Sequence, residues 1–372
     1  MAGYDKACIG CGNLIGYDSM FCPICGRMSP FYDACPSCNA EIKRGWQRCS
    51  SCGRMLTIPC PHCGKTTFVG DKCDACGVSL MVTCPNKLCH APQFFENTKI
   101  HEYVAFKLVD SKMNVVIQAT KPYVVYVNGE YFGVYYMMEK RNKYMVAAHE
   151  GITDSAVIDS INLVKGSGRT YVNNGTNEGY IKILDYVTSH DMSVKENHRW
   201  LAAKLDTDSF MDYMINEIYI GNNDPGNMQF YQIPPDGKWM QIYQDVEITW
   251  QAFDTVALRL DDATTGSTMF KALLSYKPWK DEFIERFAWT LENIYNPDSV
   301  KAQIDQAADA IRGEVAAEYE RWGDTATTSE WESGVQNMRV FAETRGAAIV
   351  QHLKSNLSLT QDQIDMLNAA IK

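Results

Sequence analysis

The chain has 372 residues, 46 % of them hydrophobic and 22 % charged, with a formal charge of −10, the composition of a folded protein long enough for more than one domain. No apolar run approaches the roughly 20 residues that cross a bilayer, and the opening MAGYDKACIGCG lacks the charged-then-apolar order of a signal peptide. A soluble protein of a reducing, cytoplasmic compartment is therefore expected, free to join a larger particle.

All 14 cysteines fall between Cys8 and Cys89, so the chain is at least bipartite. They form C-x-x-C pairs at Cys8/Cys11, Cys22/Cys25, Cys35/Cys38, Cys49/Cys52, Cys60/Cys63 and Cys73/Cys76, and the first cysteine of each double pair recurs at 8, 35 and 60. A C-x-x-C turn sets two sulfurs on one side, and two facing turns complete a tetrahedral site of soft ligands. Three tandem zinc ribbons are expected over residues 1–91, with four thiolates closing each metal so that its role is structural. Cys84 and Cys89 begin a fourth, partial module, which either binds a further zinc with help from His90 or His101 or a partner chain, or caps the array without metal. Such ribbons depend on metal for folding and serve as interaction surfaces or spacers.

Nine of the 35 Lys/Arg and six of the 45 Asp/Glu precede residue 91, which leaves 26 against 39 in the remainder. Each zinc on four thiolates adds a net −2, so three would turn the N-terminal +3 into about −3. Neither part offers the basic surface that a phosphate backbone requires, so protein partners or substrates are favoured over nucleic acid.

From Pro92 the pattern becomes that of a conventional core, and α+β is the expected class. HEYVAFKL (101–108) has helical spacing. PYVVYVNGEYFGVYYMME reads as two strands around Asn128-Gly129, the strongest short hairpin signal. VIDSINLV (157–164) suggests a strand, and KGSG (165–168) a loop. A lysine beside glycines can touch phosphate, but this spacing matches no phosphate loop, and an ordinary turn is expected. DTDSFMDYMINEIYI (206–220) reads as a capped helix with Phe210, Met214, Ile215 and Ile218 on its apolar face. Further helices are expected at 279–295, 299–322 and 330–353, and TQDQ at Thr360 to Gln363 has the form of a capping box opening a last helix in 359–372.

Between the helices lies GNNDPGNMQFYQIPPDGKWMQIYQDVE (221–247). MQFYQI and KWMQIYQ can pair across PPDG. With Ile233 facing Lys238, Asn227 falls opposite Gln244, and Asp245 beside it. Asp224, Asn227 and Asp245 then meet at one hairpin mouth. That set suits metal-assisted phosphoryl transfer, with hard oxygen ligands for Mg²⁺ and an acid to orient a hydroxyl, but Asp, Asn, Pro and Gly also dominate ordinary turns.

Residues 97–357 together resemble the spore coat protein H (CotH) kinase family. The matching stretches are VYVNGEYFGVYYMMEK, LDTDSFMDYMINEIYIGNNDPGN, DGKWMQIYQDVE, FIERFAWTLENIYNPDSV, YERWG and MRVFAETR. The resemblance implies an atypical protein-kinase-like domain at 92–358, with a small β-rich part, a large helical part and a C-terminal helix beyond it. It implies phosphorylation of protein Ser or Thr with ATP and Mg²⁺ or Mn²⁺, the ribbons docking the enzyme or positioning its substrate. Carried over by position, Asp224 is the catalytic-loop acid, Asn227 and Asp245 hold metal, Glu247 stands as the second acid of the strand, and Glu139 lies near the nucleotide. Three departures mark this chain. DPGNM is one residue shorter than the family loop and lacks its Trp, Glu247 is a methylene longer than the expected acid, and the zinc array stands where early strands would carry a phosphate-binding cation. Lys87 or Lys99 is a candidate replacement. The alternative is a pseudokinase, a kinase-fold assembly component with the ribbons as connector.

Overall fold

In the computed structural model the chain divides into two compact units, Met1–Phe94 and Phe95–Lys372. The structure describes residues 98–166, 169, 171–261, 265–322 and 326–371 of the second, and of the first only residues 5–8, 14–16, 33–34, 41–43, 46–50, 56–59, 65–68 and 74–76.

Three short antiparallel hairpins are described in the first unit. They are β1 (Asp5–Ala7) with β2 (Leu14–Gly16), β3 (Asp33–Ala34) with β4 (Glu41–Ile42), and β5 (Thr57–Pro59) with β6 (Thr66–Phe68). Each brackets in sequence the leading C-x-x-C of one module. Ile42, Cys49, Leu56 and Phe68 form a small core with Trp46 against it.

Of the predicted zinc ligands, three are among the described residues, and they differ in burial. Cys8 and Cys49 are buried and Cys76 is exposed. Cys76 belongs to a turn over 74–76 that is held from its first residue. Asp74 Oδ2 accepts the Thr67 hydroxyl and the Phe68 N–H, both at 3.2 Å, and the Asp74 N–H donates to Thr67 Oγ1 at 2.9 Å. The turn is thereby fastened to β6. Cys11, Cys22, Cys25, Cys35, Cys38, Cys52, Cys60, Cys63, Cys73, Cys84, Cys89, Lys87 and His90 lie outside the described residues, and with them every complete four-thiolate set.

The second unit opens with α1 (His101–Val109), then β7 (Val116–Ile117) and the long hairpin β8 (Thr120–Val127) with β9 (Glu130–Met138). Asn128 and Gly129 take φ of 54° and 86°, the left-handed pair that a two-residue hairpin needs. The hairpin forms its own two-stranded sheet. Its anchor is Glu318, whose Oε2 accepts the Val134 N–H at 2.7 Å. A Cβ on Gly133 (φ 139°) would lie 2.6 Å from that oxygen, so only glycine lets the strand approach.

Then come α2 (Lys143–His149), α3 (Ser155–Ser160), β10 (Asn162–Lys165) and β11 (Tyr171–Asn174). The strand expected at 157–164 is half helix. Asp154 accepts N–H groups of Ala156 and Val157 and caps α3, so the β-branched run is helical until Ile161 turns into β10. Helices α4 (Glu178–Ser189), α5 (Lys195–Ala202) and α6 (Thr207–Tyr219) follow, then β12 (Gln229–Gln232) and β13 (Met240–Tyr243). Asp206 caps α6 by accepting the Ser209 N–H at 2.9 Å.

A second sheet runs β11-β10-β12-β13-β7, antiparallel except for the parallel pair β13/β7. Its period-two alternation sorts neighbours to opposite faces. Leu163, Tyr231 and Ile242 pack with Met145 and Val146 of α2, whereas Val164, Phe230 and Tyr243 join the main core with Phe106 of α1 and Tyr213 of α6. The remainder is helical: α7 (Thr255–Asp261), α8 (Thr265–Ser275), α9 (Lys277–Asn293), α10 (Pro297–Ile311), α11 (Val315–Trp322), α12 (Thr328–Asn356) and α13 (Gln361–Ala370). The helix expected at 299–322 is two, parted by a 3-10 turn at Arg312–Glu314 where Gly313 weakens the α-helix. Thr360 and Gln363 form the predicted capping box. Leu367 is fully buried and Gln363 bonds Asp281 of α9, so α13 belongs to the same unit. Among the described residues no helix is long and apolar enough to cross a membrane.

Candidate active site

The polar mouth is built on β12 and β13, whose register pairs Gln229 with Ile242, Phe230 with Gln241 and Tyr231 with Met240. Counting outward, Asn227 faces Gln244, as the sequence predicts. The side chains complete the pairing, with Gln244 Nε2 donating to the carbonyl and Oδ1 of Asn227 at 3.2 and 3.3 Å. The backbone N–H of Asn227 points to the Asp224 carbonyl at 3.5 Å.

The loop bearing Asp224 leaves α6 through Gly221, at φ 70°, where a Cβ would lie 2.2 Å from the Gln251 carbonyl oxygen. Asn222, 2 % exposed, then ties the loop to the interior. Its Oδ1 accepts the Asp224 N–H at 2.8 Å and its Nδ2 donates to Glu217 Oε2 at 2.7 Å. Arg259 of α7 donates to the same Glu217 oxygen at 2.6 Å and to the Asn222 carbonyl at 3.2 Å. Burial pushes the Glu217 carboxyl up to about 7, against the pull of Arg259 and Asn222, with Asp224 and Asp245 adding to the rise.

Beneath the helix end lies Arg345 of α12, 1 % exposed. Its guanidinium donates to the carbonyls of Ile218, Tyr219 and Phe253 and to the Thr255 hydroxyl at 2.6 to 2.9 Å. The last carbonyls of α6, which no intrahelical donor can reach, are thereby satisfied by a cation at the negative end of the helix dipole.

Asp245 stands just past β13 with φ 58°, a left-handed conformation uncommon outside glycine and Asn or Asp. The strain is matched by Glu102 of α1, whose Oε1 accepts the N–H of Asp245 at 2.8 Å and of Val246 at 3.3 Å. Burial pushes the Glu102 carboxyl up against those two bonds. Two cations approach the Asp245 carboxylate. Arg141 Nη1 lies 3.6 Å and Lys165 Nζ 3.8 Å from its Oδ2, and Arg141 also donates to Gln244 Oε1.

Glu139 is engaged elsewhere. It accepts the Ala119 N–H and contacts His149 Nε2, both at 2.8 Å. Burial raises its pKa, but these bonds outweigh it and hold the carboxyl below its usual range. Glu247 lines a cavity of about 220 Å³ with Lys99, Glu102, Tyr103, Thr120, Tyr136 and Met138. Lys99, the candidate replacement cation, lines this cavity, and its ammonium pairs with Glu318. His101 is buried in α1 with Nδ1 3.1 Å from the Glu247 carbonyl oxygen. Among the described residues no three His, Cys, Asp or Glu side chains converge as a metal site.

Sequence reasoning passed over Glu102, Arg141, Lys165, Glu217 and Arg259. Of these, Lys165 in KGSG carries the one visible signal, a lysine beside glycines whose spacing matches no phosphate loop. The others act across gaps such as the 143 residues between Glu102 and Asp245, which no local pattern records.

An α+β body with this kinase-like arrangement defines the class. The family described as CotH kinase protein matches residues 86–349, and the chain belongs to that family. No curated protein matches the chain.

Proposed function

We propose that the second unit transfers the terminal phosphoryl group of ATP to a protein Ser or Thr. In this reading Asp224 orients the attacking hydroxyl and accepts its proton, while Asn227 Oδ1 and Asp245 hold Mg²⁺ or Mn²⁺. Both are hard oxygen donors, as those ions prefer, and the metal would neutralise charge on the phosphate oxygens. The observation carrying the proposal is the register that brings Asn227 and Asp245 to one hairpin mouth, beside an Asp224 loop tied down by Asn222. Glu247 belongs to the adjoining cavity, the candidate nucleotide pocket, and Glu139 orders the hairpin end and His149 rather than contacting nucleotide.

Radiolabel transfer from ATP with Mn²⁺, to the protein itself or to partners it captures, tests this. Asp224→Ala and Asp245→Asn should each abolish transfer with the fold intact. No transfer to any protein by the intact chain would sink the enzymatic reading.

A pseudokinase serving assembly is the second reading. Asp245 already faces two cations, and no third acid converges with it and Asp224 among the described residues. It predicts no thermal shift with saturating ATP and Mg²⁺, whereas a ligand at 100 times its Kd adds about 2.7 kcal/mol.

For the first unit we keep structural zinc on the cysteine pairs, three or four ions, as a docking element in the cytoplasm. Native mass spectrometry should count them, and chelation should unfold that unit alone.

A further inference from the structure

The family's expected phosphate cation would precede α1, and Lys99 there is occupied by Glu318. The charges at the mouth supply another source. Lys165 ends β10 opposite Gln229, and the next N–H, of Gly166, donates to the Met228 carbonyl at 2.7 Å. The lysine backbone is thus stitched to the strand one residue beyond Asn227. Arg141 is fixed independently, because the Gln244 amide that receives its guanidinium donates its other end to Asn227.

Both cations are aimed at the mouth, yet neither reaches hydrogen-bond distance of Asp245, at 3.6 and 3.8 Å. Their side chains keep 31 % and 38 % of their exposure and Asp245 keeps 21 %, so the cluster is open to a ligand. Asp245 is the carboxylate within 4 Å of both cations, and Glu102 acts on Arg141 from the other side of Asp245. A divalent ion on Asp245 would take that partner from both cations and be repelled by them. A polyanion arriving with the ion restores the balance, and guanidinium and ammonium groups are suited to phosphate oxygens.

We propose that Lys165 and Arg141 bind the phosphates of a metal-chelated nucleoside triphosphate, exchanging Asp245 for phosphate as the divalent ion takes Asp245. This rests on the kinase reading for the nucleotide's identity, but not for the phosphate chemistry. It makes metal and phosphate binding mutually dependent. The two binding constants of one variant should therefore move in opposite directions, which a merely structural role would not produce.

The test is calorimetric titration of the full chain with Mn²⁺ alone, Mn²⁺-ATP, Mn²⁺-tripolyphosphate and adenosine. Lys165→Met and Arg141→Met should each weaken Mn²⁺-ATP and Mn²⁺-tripolyphosphate about tenfold or more, worth about 1.4 kcal/mol. They should tighten Mn²⁺ alone and leave adenosine unchanged, and Lys165→Arg should retain most of the affinity. If the wild type binds Mn²⁺-ATP and both Met variants bind it equally well, this assignment is overturned while the kinase reading stands. Lys165-dependent tripolyphosphate binding without phosphoryl transfer leaves the assignment standing and removes the enzyme. Wild-type protein that binds neither polyanion overturns both.

Discussion

The back and the front of the site are built on opposite plans. Behind the Asp224 loop, Glu217, Arg259, Asn222 and Arg345 are at most 4 % exposed as side chains or residues; the first three are joined by hydrogen bonds of 2.6 to 3.2 Å, and Arg345 holds the end of α6 through the Tyr219 and Ile218 carbonyls. At the front, Asp245, Arg141 and Lys165 are partly exposed and separated by 3.6 to 3.8 Å. Buried polar groups must be satisfied within the fold because leaving one unpaired costs about 1 to 3 kcal/mol, whereas exposed ion pairs contribute little. The frame is therefore part of stability, and the mouth is free to reorganise around a ligand.

That contrast is most exposed by the acids. Asp224→Ala and Asp245→Asn, the latter keeping a side chain that tolerates the left-handed backbone, should lower phosphoryl transfer by about a thousandfold or more while the melting temperature moves only slightly. Unfolding of either variant would erase the distinction between front and back. Arg345→Met should do the reverse, costing about 1–3 kcal/mol or more in denaturant unfolding, because the buried Tyr219 carbonyl loses its guanidinium donor and Ile218 keeps only the Thr255 hydroxyl and the Gly221 N–H.

The third prediction separates the two regions by pH. The folded Glu217 carboxyl titrates at about 7, above its ordinary 4.5. Between those values the unfolded chain has released the proton and the folded chain retains it, so stability falls as pH rises through that window. The loss is on the order of 3 kcal/mol. Glu217→Gln should flatten that slope, and a wild-type slope of the opposite sign would refute the assignment. Smallest is Thr360→Ala, which removes the α13 cap far from both regions and should cost about 1 kcal/mol without altering nucleotide binding.

What could be read in advance follows from how local the cause is. The β12/β13 register is set by PPDG and by alternation, and its consequence at Asn227 and Gln244 follows by counting. The Asn128-Gly129 hairpin and the caps at Asp206 and Thr360 are equally local. The helix α3 was hidden because its capping acid, Asp154, precedes a β-branched run. The parallel pairing of β7 with β13 joins segments some 125 residues apart, and the two cations at Asp245 come from the loop after β9 and the end of β10, so neither leaves a sequence pattern. The cysteine array is read from spacing alone, and spacing says nothing of local ties: the bonds between Thr67 and Asp74 are invisible to a C-x-x-C count.

The buried guanidinium of Arg345 has one more consequence, for synthesis. During elongation Asp224, Asn227, Lys165, Arg141 and Asp245 all emerge well before Arg345. A nascent chain therefore carries every charged group of the mouth while the end of α6 still lacks its donor. Domains fold as units as they leave the ribosome, and here the group closing the unit comes close to last. A chain truncated before α12 would hold all the chemistry of the site, and Glu217, Asn222 and Arg259 behind it, but not the guanidinium that closes the end of α6.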